Sequence, residues 1–439
     1  MDLNRRAVIA LALAAPLVLA GRPARAAGRP DTAREVILTW HRLILELVRH
    51  TPTYSPPVAS RGFAYIGITA HEAMAQGDPA LRSLAGQLTD LAPLPPPPPG
   101  GLDTPCVVHA ALQAVVQAMF ANTGPTGQRA MASMSEAMGR LAAQGMAAEV
   151  VARSVAQGRA IAAHVLAWAA TDGGAVVENL GFPRDYTPGS RPQDWVPTSL
   201  VQLQQAPLLP DWGRNRPFAL PSAAACGLPP PPVYDATPGS PFHAAALEVV
   251  TVSRALTDEQ KLIARFWSDD PMLSPTPPGH WIAILTQIAA RDRLPPEVIA
   301  AALARLGVAQ ADAFIACWVT KFEFNLLRPV TYIRRHIDPA WEPLLITPPH
   351  PEYPSGHSSQ SSAAATALTA IFGADFAFDN STHVADGLPV RRFPSFAAAA
   401  AEAAMSRLYG GIHYRFGNEA GQAQGACVGA HAAGLRTEA

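Results

Sequence analysis

From Asp31 to the C-terminus, apolar residues recur at intervals of three and four, and stretches of alternating polarity are nearly absent. That period belongs to helices that bury one face, because 3.6 residues per turn bring such positions to the same side. Val36, Trp40, Leu43, Ile44 and Leu47 set the pattern in a helix predicted over 31–50, and helices over 61–74, 105–121, 125–143 and 147–170 follow it. The prolines Pro95 to Pro99 force an extended linker between the second and third. Residues 171–239 break the pattern: Trp195-Val196-Pro197, Trp212-Gly213 and Pro229 to Pro232 predict a long irregular region tied down by aromatics. A loop of that length in a compact chain is usually functional or a covering surface. Helices resume over 240–254, 258–268 (with Thr257 and Gln260 as a capping box), 280–292, 296–327, 357–373, 396–409 and 418–434. No internal repeat is present. The expectation is an all-α bundle protein.

Composition narrows the function classes. Charged residues make up 15% of the 439, against roughly 25% in an average soluble protein. The 33 Lys+Arg and 34 Asp+Glu nearly cancel. A nucleic-acid partner held by bulk positive field is therefore not expected, although a small concentrated cationic pocket is compatible. With 49% apolar residues the chain can bury a core that offsets its entropy, so disorder is not expected. Cys106, Cys226, Cys317 and Cys427 form no CxxC pair, which excludes a zinc ribbon or a thioredoxin-like motif. Cys317 and Cys427 read as core residues of apolar helices, and disulfide pairing stays open.

Residues 1–27 read as a removable export signal. Arg5 and Arg6 precede an apolar run from Ala7 to Gly21, and Ala24-Arg25-Ala26 gives an A-x-A cleavage pattern. Asn4-Arg5-Arg6-Ala7-Val8-Ile9 is similar to a twin-arginine signal, which predicts a periplasmic or secreted protein. No later stretch of about 18 apolar residues lacks a charge or proline, so no membrane span is expected in the mature chain.

Three short segments carry chemistry. In the first, Lys321 and Arg328 are seven apart, two helical turns or about 10 Å along one face, just before Pro329 disfavours further helix. Two long cations on one face can converge on one anion, and the apolar neighbours Phe314, Ile315, Trp318 and Phe322 argue against two solvated surface charges. In the second, Pro354-Ser355-Gly356-His357 opens a helix, where free N–H groups bind oxyanions and a histidine can shuttle a proton. In the third, Ser406-Arg407 ends a helix at Gly410-Gly411 and His413 lies in the turn to the next. Three cations, an N–H cradle and two histidines can hold a tetrahedral oxyanion.

K-x6-RP, PSGH and SR-x5-H resemble, in order, the three signature motifs of the vanadium-dependent haloperoxidase and type 2 phosphatidic-acid phosphatase superfamily. The similarity is strongest over 321–417, and Gly279-His280-Trp281 and Trp195 to Thr198 look like the soluble bacterial haloperoxidase branch. The resemblance implies two packed helical bundles with long Pro/Gly-rich loops: an N-terminal bundle over 28–170, the connecting region 171–239, and a C-terminal domain over 240–439 that carries the oxyanion site. It further implies a vanadate cofactor whose oxygens are held by Lys321, Arg328, Arg407, Ser355 and Gly356. His413 would be the vanadium ligand and His357 the acid–base group. The reaction would be oxidation of halide by hydrogen peroxide to hypohalous acid, with a small organic molecule as acceptor. On the phosphatase side of the superfamily, His413 would instead form a phosphohistidine, making the alternative a soluble exported acid phosphatase. A third reading, from another class, is an oxyanion-sequestering protein, which would need no titrating His357.

One position departs from the motif. The family usually has Asp four residues after the histidine, orienting it; here the residue is Gly417, with Asn418 and Glu419 as displaced substitutes. That weakens phosphohistidine chemistry more than metal ligation. Trp318 and His350 are candidates for the halide pocket. Histidine at 350, where a fungal-type chloroperoxidase has phenylalanine, leans toward bromide or iodide. His71-Glu72 lacks the second histidine of a zinc helix and reads as core or surface. Gly421, Gly425 and Gly429 predict close helix packing within the chain, with a homo-oligomer contact as the alternative.

Overall fold

The computed structural model describes residues 29–76, 78–177, 181–183, 186–201 and 204–439; the export segment read over 1–27 lies outside them. Five helices form the first bundle: α1 (Arg29–His50), α2 (Pro56–Ala75), α3 (Thr104–Met119), α4 (Pro125–Ala143) and α5 (Ala148–Ala169). The second half contains α6 (Pro241–Arg254), α7 (Asp258–Phe266), α8 (Thr276–Arg291), α9 (Pro296–Phe324), α10 (Pro329–His336), α11 (Gly356–Phe372), α12 (Phe396–Tyr409) and α13 (Arg415–Ala433). A two-stranded antiparallel hairpin, β1 (Phe378–Asn380) and β2 (Arg391–Phe393), sits between α11 and α12.

Many of the chain's prolines begin helices. Proline occupies the first or second position of α2, α3, α4, α6, α8, α9 and α10. There its missing N–H costs nothing and its fixed φ is already helical. Pro329, expected to stop helix, therefore opens α10. The helix expected over 296–327 ends at Phe324 because Asn325 turns left-handed at φ 47°. Lys321 and Arg328 consequently do not share a helix face; Arg328 is the N-cap residue of α10. The capping box of α7 is present, with Gln260 N–H donating to Thr257 Oγ1 and Thr257 N–H to Gln260 Oε1.

Helix α9 is the spine. It packs along α2 on one side and against α11 and α13 on the other. Contact with α2 is backbone to backbone: a Cβ on Gly67 would fall 2.6 Å from the Leu303 carbonyl oxygen, and one on Gly307 would fall 2.7 Å from Ala64 Cα. Among the described residues α9 alone is long and apolar enough to cross a bilayer, but it is mostly buried as the core helix. Trp40, Ile44, Trp281, Leu303 and Phe314 belong to one apolar cluster that runs through both halves. Gly421, Gly425 and Gly429 press α13 onto the Ser355, Ser359 and Ala363 carbonyls, so the glycine stripe is used within the chain.

The described part of 171–239 is mostly irregular and is pinned to the second half. Trp195 and Trp212 are buried as expected. Polar ties add to them: Asp312 on α9 accepts from the N–H groups of Phe218, Ala219 and Leu220 at 2.6, 2.7 and 3.0 Å. Cys226 forms a disulfide with Cys427. Cys427 is thus exposed and covalently paired on α13, not the core residue expected, while Cys317 is buried and free.

Candidate active site

Three loops and two helix ends converge beside α9. Lys321 in its last turn is fully buried, and its ammonium donates to the carbonyls of Pro351 at 2.8 Å, Glu352 at 3.0 Å and Pro354. Arg328 is equally buried. Its Nε donates to the His350 carbonyl at 2.8 Å, Nη2 to His350 Nδ1 at 2.9 Å, and Nη1 to the Ile412 carbonyl and His413 Nε2 at 2.9 and 3.0 Å. One guanidinium thereby ties the segment before α11 to the turn before α13. Ser355 caps α11, and its N–H donates to the Gly417 carbonyl at 2.9 Å. Gly356 is the first residue of α11, where helix N–H groups are free. A Cβ on Gly356 would make only ordinary contacts with Trp318 and Phe314, so protein packing does not require a glycine there.

Arg407 ends α12, with Nη1 donating to the Trp267 carbonyl at 2.6 Å. His357 lies beside the Trp267 backbone. Arg407 is buried as well, and its charge disfavours the protonated forms of Arg328 and His413. All seven residues predicted to hold or process an oxyanion are therefore brought together. Trp318 and His350 adjoin them, with ring centroids 5.0 Å apart and the Lys321 ammonium 5.8 Å from the Trp318 ring.

Burial decides the electrostatics. It lowers Lys321 to about 8 and Arg328 and Arg407 each to about 10. His413 is driven well below the usual imidazole range by burial and then by Arg328 and Lys321. His357 moves the same way, by burial and then Arg407. Both imidazoles are accordingly neutral. Three buried cations, opposed by Glu352 beside Lys321 and Arg328 and by Asp269 and Asp270 beside Arg407, make a region that favours an anion. Among the described residues, Arg407 Nε and His357 Nε2 are buried polar atoms without a hydrogen-bond partner. The Arg407 donor suits an oxygen acceptor and the His357 nitrogen suits a protonated oxygen, so the residues present fit a tetrahedral oxyanion such as vanadate.

Glu352 is the functional residue that sequence reasoning missed. Its carboxylate is fully buried, and Oε1 accepts from His413 Nδ1 at 2.8 Å and from the Tyr414 N–H at 3.1 Å. Burial raises its pKa to about 7 despite Lys321 and Arg328. The displaced substitutes considered for the motif's Asp do not serve: Glu419 is exposed, and Asn418 accepts instead from Ser358. The available signal was a lone carboxylate inside a proline-rich segment immediately before PSGH.

Asp269, His280 and His383 form a second buried cluster behind Trp267, which stacks on His280 at 4.4 Å. Asp269 accepts from both histidines at 3.0 Å, while His280 Nε2 meets Asn380 and His383 Nδ1 meets Asp386. Against the cost of burial, the two carboxylates raise His383 to about 9. Every imidazole nitrogen of the cluster is partnered, and the Trp267 ring stacks on it while the Trp267 carbonyl accepts from Arg407. His71 and Glu72 are core residues, with Glu72 accepting from Ser83 and the Leu84 N–H.

A family model described as the second helical-bundle domain of VCPO matches residues 301–438. A bacterial vanadium-dependent iodoperoxidase is similar at 34% identity, with 92% of this chain and 97% of that one covered and a TM-score of 0.83. Apo and holo forms of a bacterial vanadium-dependent chloroperoxidase share the fold at 18% identity, covering 88% of this chain and 93% of theirs, with TM-scores of 0.66 and 0.67. No curated protein sequence matches.

Proposed function

The chain belongs to the vanadium-dependent haloperoxidases, and we propose that it binds vanadate and oxidises iodide or bromide with hydrogen peroxide. The observation that carries this reading is His413 Nε2 held 3.0 Å from Arg328 in a region that also buries Lys321 and Arg407, in a chain 34% identical to an iodoperoxidase over 92% of its length. When bound, vanadate supplies a Lewis-acid centre that activates peroxide toward halide. Lys321, Arg328 and Arg407 would neutralise its oxygens, with the Ser355 hydroxyl and Gly356 N–H as further donors. His413 would offer Nε2 as the ligand atom, with the Arg328 N–H that now donates there turning to the oxyanion. His357, whose Nε2 has no hydrogen-bond partner among the described residues, would hold and release a proton beside the site.

Trp318 and His350 would line the halide's approach, and the polarisable face of Trp318 suits the larger halides. Hypohalous acid would then halogenate a small organic molecule.

Export by the twin-arginine route is part of the proposal. It is supported by the sequence of residues 1–27 and by the Cys226–Cys427 disulfide, a bond that persists in oxidising compartments. Cell fractionation with Arg5 and Arg6 both replaced by Lys tests it; undiminished export would exclude that route.

The function is tested on one purified sample. One half is loaded with vanadate and assayed with peroxide and iodide, bromide or chloride; the other is kept vanadate-free and assayed on a phosphate ester. Vanadate-dependent iodide or bromide oxidation, lost in His413→Ala, is expected. Ester hydrolysis inhibited by vanadate, with no halide oxidation, would establish the phosphatase chemistry instead. His357→Ala should abolish turnover and retain vanadate binding, and an unchanged rate would remove His357 from the mechanism.

A further inference from the structure

Gly417 and Glu352 are two halves of one feature. Gly417 lies in the first turn of α13, and a Cβ there would fall 2.2 Å from Glu352 Oε1 and 2.8 Å from Oε2. No side chain at 417 is compatible with Glu352 where it stands. Oε1 is the atom 2.8 Å from His413 Nδ1. The direction of that bond follows from the other side of the ring. Arg328 Nη1, which can only donate, is 3.0 Å from His413 Nε2, so Nε2 accepts and Nδ1 carries the hydrogen. Two contacts from different segments thus select one tautomer. Glu352 is itself fixed at both ends of its backbone, with its N–H donating to the Leu326 carbonyl at 2.8 Å and its carbonyl accepting from Lys321 at 3.0 Å.

We propose that Glu352 is the positioning residue for the histidine that would ligate vanadium. Reaching from the segment before α11, it holds His413 as the Nδ1–H tautomer with Nε2 turned to the oxyanion pocket, and Gly417 is the space that admits it. The role in metal binding rests on the haloperoxidase reading; the tautomer does not. Because a side chain at 417 would enter the volume filled by the Glu352 carboxylate, the acceptor is exchangeable between the two positions. A carboxylate on α13 serves only when that on the loop is gone, and the two together collide.

The experiment uses the mature protein and four variants: Glu352→Ala, Glu352→Gln, Gly417→Asp and the double variant Glu352→Ala/Gly417→Asp. Vanadate affinity is measured by isothermal titration calorimetry, and the His413 tautomer by 15N NMR of histidine-labelled protein without vanadate, with folding checked by circular dichroism. Glu352→Ala should lose tenfold or more in affinity and show mixed tautomers, in line with the roughly 10–100-fold cost of removing a group that orients a metal ligand. Glu352→Gln keeps an acceptor oxygen and should retain the Nδ1–H tautomer and affinity within about threefold. Gly417→Asp alone should lose affinity or stability, and the double variant should recover at least half of the loss on a logarithmic scale. Glu352→Ala with unchanged affinity and tautomer, or a folded double variant no better than Glu352→Ala, overturns the proposal. If Glu352→Ala does not fold, Glu352→Gln and the double variant decide by the same criteria. Wild type that binds no vanadate would defeat the haloperoxidase reading alone, since the tautomer still judges Glu352.

Discussion

In Lys321 the demands of folding and of anion binding oppose one another. Its ammonium is fully buried against the carbonyls of Pro351, Glu352 and Pro354, and burial brings its pKa from 10.5 to about 8. That displacement corresponds to roughly 3 kcal/mol between the two protonation states. Between pH 8 and 10.5 the unfolded chain holds this proton and the folded chain gives it up, so the Lys321 contribution to stability rises with pH across that window. It is fully present above 10.5 and lost as pH falls through about 8. Lys321→Met keeps the stem and removes the titration. Denaturant unfolding of both proteins at the two ends of the window should show wild type gaining roughly 3 kcal/mol relative to the variant. Oxyanion affinity should run the other way, falling over the same window as the ammonium becomes a neutral amine. A wild-type-minus-variant difference that changes by less than about 1 kcal/mol would refute the reasoning, because the ammonium would then not be carrying the cost of burial.

Cys226 and Cys427 are 201 residues apart, so the chain-entropy account sets a ceiling of about 5 kcal/mol on what their bond contributes. The Cys226→Ser/Cys427→Ser variant should unfold at a clearly lower denaturant midpoint, and an unmoved midpoint would show that the Asp312 ties alone hold the loop. Gly425→Ala would place a Cβ 2.1 Å from the Ser359 carbonyl oxygen and should cost about 1–3 kcal/mol by forcing α13 off α11. A melting temperature equal to wild type would mean that the two helices are not in the close contact described.

What the sequence disclosed follows the range of the forces involved. Helices α1 to α5 were legible because period and proline placement are local, and the PSGH turn and the Arg407 helix end were legible for the same reason. Pro329 was read as a stop, since the rule that proline ends one helix says nothing about whether it begins another. The hairpin strands, three residues each, are too short for alternation to register. Lys321 and Arg328 are both buried without sharing a helix face, because nothing local announces a left-handed Asn325. Glu352 was invisible because its meaning lies 61 residues away, in His413 and in the empty Cβ position of Gly417. A glycine that looks like the loss of a residue is, in three dimensions, the room for another.

The recognisable family region begins at residue 301, inside a helix that starts at Pro296. Its physical boundary is elsewhere. Gly67 and Gly307 lock α2 and α9 at backbone distance, leaving no layer of side chains to act as a seam. A gene fragment cut at the family boundary would expose the flank of the very helix that carries Lys321. The site-bearing half is therefore one folding unit with the first bundle, since the flank that Gly67 and Gly307 bring together belongs to both.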